Sequence, residues 1–450
     1  MGRWGARMRR HGTRPWGMLL VLLLGWLLAA CGPAARPPAR SSASSAATPG
    51  PVAATSSAAA SVAPPRWRLV PLPVTGSTGQ QLQQVSALTL QPGPAGTLVW
   101  SGQPALCCLV AGTLSPGSSA VHVLSAATCG HQCSLWTTGA GLFAGDAVSG
   151  TGCGELFYRG GHAWQPVAAL GLMCAPPAAA PSTGWTEGVV AAGGSGLWVC
   201  LLAHGKTWYL GHVGSAGTLV TARLPAACQG LAARAGWGAI VALRPNLVLQ
   251  AAFTAAGQIR LSAVTTLPGS PWTGTFAGFP GSLAVGPHGD LWYLATAGGS
   301  GRIYRWRPAD GAVHSWSAAQ ACAAAGEYTL AAAGSVVWLR AVASASGSPC
   351  TVGLADFSPA TASWITVTAG TAQALVAPWT VGPTGGLWLP AGAGVADQRP
   401  DGATVSHTRG WPAGYQAESV AVAPDGAIWA AARSGRSGGY RWALLAWPPA

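Results

Sequence analysis

The sequence predicts an all-β chain folded as a β-propeller of seven or eight four-stranded blades. Three observations point there: a Gly-Pro turn that recurs along the chain, a spacing of about 47 residues between its copies, and a Trp directly after the turn. Composition agrees. Gly (64) and Pro (35) make up 22% of the 450 residues, too many helix breakers for a mostly helical protein. Charged residues are 8%, too few for the polar face of a coiled coil or for a long disordered chain. Trp, at 23 copies, is the main large hydrophobe.

The clearest copy is Gly286-Pro287-His288-Gly289-Asp290-Leu291-Trp292. It returns as Gly382-Pro383-Thr384-Gly385-Gly386-Leu387-Trp388 and as Ala423-Pro424-Asp425-Gly426-Ala427-Ile428-Trp429. Gly93-Pro94-Ala95-Gly96-Thr97-Leu98-Val99 keeps all but the Trp. Short alternating apolar segments precede these copies, so each reads as a hairpin. Pro presets one turn dihedral, and Gly takes the positive φ that a tight turn requires. Weaker copies supply further anchors, and the set becomes Val99, Phe157, Trp198, Val248, Trp292, Trp338, Trp388 and Trp429. Their seven intervals span 330 residues, or about 47 each, in the range of a four-stranded blade. In the best-read blade the strands fall at 282–285, 291–296, 302–307 and 312–317.

The chain ends predict how the ring closes. After Trp429 only 21 residues remain, room for the strand-like Tyr440 to Trp447 but not for a fourth strand. Trp67-Arg68-Leu69-Val70-Pro71-Leu72, ahead of the first blade, is the segment expected to complete the last one. Joining the ends in this way hides edges that an open sheet would expose. Each anchor then sits as a large side chain between neighbouring sheets.

The repeat resembles the Gly-Pro-Asp-Gly-x-Leu-Trp blades of the streptogramin B lyase and two-component-regulator propeller groups, over roughly residues 66–450. The resemblance implies the fold. The lyase activity is associated with a Glu-x-His pair and a divalent metal. None of the nine histidines here has Glu two positions earlier, and His288 occupies a turn position held elsewhere by Ala95, Thr384 and Asp425. Lyase chemistry is disfavoured on this count, and no cofactor is implied.

The amino terminus predicts export. Arg3, Arg7, Arg9, Arg10 and Arg14 precede the apolar run Met18 to Ala30, the order of a signal peptide over residues 1–30. Leu28-Ala29-Ala30-Cys31 resembles the lipobox of bacterial lipoproteins, which implies cleavage before Cys31 and a diacylglyceryl group on its thiol. Residues 31–65 then form a lipidated Cys and a disordered Pro/Ala/Ser tether, and 66–450 the propeller. The formal charge of +13 falls to +8 once the five leader arginines are removed. The remaining basic residues are scattered rather than striped, so no nucleic-acid partner is expected. The expected partners are the membrane, through Cys31, and an unidentified protein, peptide or glycan, bound by a monomer.

Ten cysteines follow Cys31, an even number that favours disulfides in an exported chain. Cys200 with Cys228 and Cys322 with Cys350 are each 28 apart, and Cys153 with Cys174 is a third candidate pair. Cys129-Gly130-His131-Gln132-Cys133 offers thiolate and imidazole ligands to a soft metal as the alternative reading. Acids number 11, and Asp290, Asp310, Asp401 and Asp425 beside Gly read as turn residues. Glu155, Glu187, Glu327 and Glu418 are isolated in sequence, and no nucleophile elbow or phosphate loop occurs. A binding or scaffolding module at the cell surface is the expectation. The alternatives are an envelope assembly factor and a lyase or glycan-cleaving enzyme with its site at the ring's centre. Loop residues Trp185, Trp272 and Trp411 are the candidates for glycan stacking.

Overall fold

The same five-residue turn is built four times over. In the first copy the Gly93 amide donates to Thr97 O at 2.6 Å; in the others Gly286 donates to Asp290 O, Gly382 to Gly386 O and Ala423 to Ala427 O, each at 2.8 Å. Gly289, Gly385 and Gly426 take φ of 78°, 88° and 85° there, a region where a side chain would be strained. In the last copy Asp425 Oδ1 accepts the Ala427 amide at 2.9 Å, which is why Asp suits the turn. Each turn joins the innermost strand of a sheet to the second.

The computed structural model describes residues 65–73, 76–105, 108–115, 118, 120–124, 127–128, 133–146, 156–160, 163–167, 190–203, 207–234, 238–243, 247–266, 283–286, 289–297, 300–307, 309–317, 325–343, 350–355, 363–367, 380–423, 425–435 and 439–448. Their strands form eight antiparallel sheets, seven of four strands and one, blade 1, with a fifth short strand at its side. Innermost strands of successive sheets touch all the way round, so the sheets are the blades of a ring. Blade 5 shows the pattern: Leu283–Val285, Leu291–Ala297, Ser300–Trp306 and Val313–Ser317, within two residues of the sequence expectation.

Blade 8 closes the ring as expected. Gln416–Val422, Ile428–Ser434 and Arg441–Trp447 supply three strands, and Arg68–Pro71 supplies the fourth, pairing Arg68 with Ala446 and Pro71 with Ala443. Trp67 fixes the entry. Its amide donates to Arg409 O at 3.1 Å and its indole Nε1 to His407 O at 2.8 Å, both next to blade 7. Its ring meets Trp411 at 5.2 Å and Trp447 at 5.3 Å.

The all-β expectation contained no helix, yet residues Gly76–Gln84 form one between the closing strand and blade 1. Leu82, and Val85 just beyond the helix, are buried with Val70, Trp100 and Trp442 in the core between blades 8 and 1. Tyr440 donates its amide to Gln83 O, and Arg433 donates to Ser86 O at 2.8 Å while pairing with Glu418 at 2.6 Å. The helix thus caps one end of the seam.

The anchor positions need two corrections. Phe157 and Val248 lie on third strands, Leu156–Gly160 and Leu247–Phe253. The second-strand equivalents are Phe143 and Ile240, reached through Gly141 and Gly238. With these, every anchor packs into the core shared with the following blade where that core is described. Val99 meets Leu135, Phe143 meets Leu197, Trp198 meets Leu231, Ile240 meets Leu291, Trp338 meets Leu387, Trp388 meets Val420 and Trp429 meets Leu98. Trp338 Nε1 also donates to Gly385 O at 2.8 Å, tying blade 6 to the turn of blade 7. Between blades 3 and 4 the packing is covalent: Cys200 and Cys228 form a disulfide with their Cα atoms 6.4 Å apart.

Trp67 is 4% exposed and joins three parts of the seam. Trp67→Ala is expected to cost about 3–5 kcal/mol, the usual range for a buried large-to-Ala change. Urea denaturation checks this, and an unchanged midpoint would show that the ring does not depend on the closing strand.

Candidate functional site

Opposite each anchoring Trp, the third strand places one residue that the repeat leaves free to vary. His212 pairs with Trp198, Arg305 with Trp292, Gly353 with Trp338, Asp397 with Trp388 and Ala446 with Trp429. In blade 5 the Arg305 guanidinium lies 5.5 Å from the Trp292 ring centroid and donates through Nε to Asp290 Oδ2 at 2.9 Å. Asp290, expected as an ordinary turn residue, is therefore a buried partner of Arg305 at 3% exposure. In blade 3 the His212 ring lies 4.7 Å from Trp198 and 4.6 Å from Phe253, with Nε2 3.2 Å from Ser195 Oγ. In blade 7 Asp397 is paired with Arg399 at 3.4 Å.

His212, Arg305 and Asp397 are packing devices. Desolvation pushes the His212 pKa down to about 4, so the ring is uncharged at neutral pH and a weak base toward Ser195. Burial raises the carboxyl of Asp397, with Arg399 opposing, and raises that of Glu418, with Arg433 opposing. Glu418 is isolated in sequence but not in space, since Arg433 is its partner. Asp310, Asp401 and Asp425 each accept an amide two residues ahead, as turn residues do.

Blade 8 differs from these three. Ala446 gives Trp429 no large partner, and small residues Ala423, Ala427 and Gly96 surround it. The result is a cleft of about 730 Å³ between blades 8 and 1, at the end of the ring that holds the Gly-Pro turns. Trp429, Leu98, Leu114 and Trp447 line it, and Arg66, Arg68 and Asp425 stand exposed at its rim. Its size falls within the usual span for small-molecule pockets, about 300–1,000 Å³. The closing segment from Pro65 to Leu69 forms one wall.

The sequence-derived candidates fare unevenly. Cys200 and Cys228 are joined. Cys31, Cys129, His131, Cys153, Cys174 and Cys322 lie outside the described residues, as do His288, Trp185 and Trp272. Cys133 and Cys350 begin strands, but their side chains are outside what is described. Among the described residues no three His, Cys, Asp or Glu side chains gather to hold a metal. Trp411 is half-buried against Trp67, with its Nε1 donating to Tyr415 O at 2.9 Å, and is used in packing. The cleft is not legible in the sequence: Ala446 opposite Trp429 does not mark it by itself, since the smaller Gly353 stands opposite Trp338.

No family model matches the chain, and no curated protein does. Among solved structures, the Dos1 propeller is similar at 10% identity and a TM-score of 0.45, over 77% of this chain and 88% of that one. Oligogalacturonate lyase in complex with manganese is similar at 11% identity and 0.41, over 86% and 97%. YCF48 from Cyanidioschyzon merolae is similar at 10% identity and 0.38, over 85% and 98%. The likeness is one of fold alone.

The buried histidines set a pH dependence. Unfolded, His212 takes a proton near about 6.5, and folded only near about 4. Between these values the unfolded chain binds more protons, so stability falls as pH drops through the window. His407, also lowered by burial, acts in the same direction. The raised carboxyls of Asp397 and Glu418 oppose this nearer the carboxylate range. The melting temperature is therefore expected to fall between pH 7 and 5, and His212→Gln to flatten the slope; an equal slope in the variant would remove His212 as its cause.

Proposed function

We propose that the protein is a membrane-anchored, extracytoplasmic propeller lipoprotein acting as a binding or scaffolding module at the cell surface, with the seam cleft as its binding site. The observation that supports binding over catalysis is the cleft: a mainly apolar space lined by Trp429 and Trp447 and walled by the segment that closes the ring. Two buried carboxylates elsewhere on the ring are held in ion pairs within their blades, Asp290 with Arg305 and Glu418 with Arg433. The anchoring reading rests on the Leu28-Ala29-Ala30-Cys31 box and the arginines before it. The tether of residues 31–65 ends at the cleft wall, so the site lies where the anchored segment meets the ring.

Two measurements test this. Cys31→Ser is expected to abolish incorporation of labelled fatty acid and to release the protein from the membrane fraction; continued labelling would remove the lipoprotein reading. A ligand-detected NMR screen of apolar aromatic fragments against the full chain is expected to give hits that vanish in Ala446→Leu, which fills the cleft. Hits that persist in that variant would place binding elsewhere.

A further inference from the structure

We infer that the seam cleft takes an amphipathic monoanion: an apolar, ring-bearing body against Trp429, Leu98 and Leu114, with a carboxylate held between Arg66 and Arg68. This rests on the cleft being the binding site and adds the chemical class of its ligand.

The walls specify the body. Leu98 and Leu114 are 2% and 1% exposed and Trp429 is 7% exposed, so the floor is apolar and firmly packed from behind. The indole of Trp429 offers a flat face, and Ala446 across from it leaves the room that His212 and Arg305 fill in blades 3 and 5. Flat or ring-bearing apolar groups gain both burial and favourable ring contact there.

The rim specifies the charge. Arg66 and Arg68 are exposed, line the cleft and form no ion pair with any described residue. Asp425 also lines the cleft, and its carboxylate accepts the Ala427 amide. Two guanidinium groups against one carboxylate leave one positive charge, which matches a single anionic head. A cation would meet both arginines, and a dianion would meet Asp425 with its second charge. Guanidinium also binds carboxylate through paired hydrogen bonds, which fixes orientation as well as charge.

Because Arg66 and Arg68 belong to the segment that closes the ring, an occupied cleft ties that segment to blades 8 and 1. A ligand that binds only the closed form raises its stability by mass action. Occupancy and ring closure are therefore coupled.

The test uses the full chain in nanodiscs of zwitterionic lipid, with naphthalene-2-carboxylate and its neutral isostere naphthalene-2-carboxamide as probes followed by Trp fluorescence. The carboxylate is expected to bind about tenfold or more tighter than the carboxamide, the scale of a hydrogen bond to a charged group. It is also expected to raise the melting temperature. Arg66→Gln with Arg68→Gln should abolish the preference and leave carboxamide binding in place, and Ala446→Leu should abolish both. If Ala446→Leu does not fold, Ser115→Phe at the rim blocks the same opening. Equal affinity for the two probes, both lost in Ala446→Leu, overturns the anion inference and leaves the cleft reading standing. Binding that survives both cleft-filling variants overturns the cleft reading itself. Failure of the carboxylate to bind overturns the inferred ligand class.

Discussion

The pairing of Arg68–Pro71 with Arg441–Trp447 is the contact on which the rest of this molecule depends. Each blade is a twisted sheet with apolar side chains on both faces, and it is stable only when both faces are covered. A ring gives every sheet two neighbours, but only if the first and last are joined. Here the join is made within blade 8, whose fourth strand comes from the other end of the described chain. Without that strand the blade would expose a backbone edge along Arg441–Trp447 and open the core that holds Val70, Trp442 and Leu444. Trp67 then ties the closing strand to blade 7 through the His407 carbonyl, and the helix Gly76–Gln84 ties it to blade 1. The seam is thus fastened on both sides as well as along the strand.

Around the remaining ring the solution is repetitive. In four blades a turn with Pro at its second position delivers the chain into a second strand, and the third residue after its left-handed Gly is the anchor, Val99, Trp292, Trp388 or Trp429. In the others a Gly turn without Pro leads to Phe143, Trp198, Ile240 and Trp338. Val99, Phe143 and Ile240 replace Trp at three of the eight positions, so the requirement is for bulk rather than for an indole. What varies is the third-strand residue behind the anchor. His212 and Arg305 each put a polar or charged group against an aromatic ring, satisfied locally by Ser195 and Asp290, and Asp397, opposite Trp388 in register, is paired with Arg399. A chain with 11 acids thereby spends a good part of its ionisable groups on packing.

The seam is also where a blade is completed from the other end of the described chain, and such a join is where a site unlike the others can form. Equivalent clefts are filled in blades 3 and 5 by His212 and Arg305 beside their Trp anchors. At the junction of blades 8 and 1 the opposing residue is Ala446, and the wall is finished by the closing segment rather than by a continuous blade. Arg66 and Arg68 at that wall, with no ion-pair partner among the described residues, give the cleft a polarity of its own.

Much of the ring was legible in the sequence because its rules are local. A tight turn needs Pro and a positive-φ Gly within a few residues, so Gly286, Gly382 and Ala423 announce their hairpins and the spacing between them gives the blade. The closing strand was legible for a related reason: the last repeat lacks a strand, and Trp67 to Leu72 alternates like one. The identities of the anchors in blades 2 and 4 were not, since Gly141-Leu142-Phe143 and Gly238-Ala239-Ile240 carry a weaker turn signal than the third-strand copies near them. The helix at Gly76–Gln84 was not legible either. Its polar sequence, with four Gln in nine residues, is helical because Leu82 and the following Val85 find a core that exists only once blades 1 and 8 meet. Nor could spacing alone single out Cys200 and Cys228, which are close because adjacent blades place a second strand beside an inner one. The cleft belongs to the same class. Sequence determined the Pro-containing turns and the length of a blade; the tertiary structure decided that there are eight and which faces meet, and a cavity is a property of two faces that fail to fill the space between them.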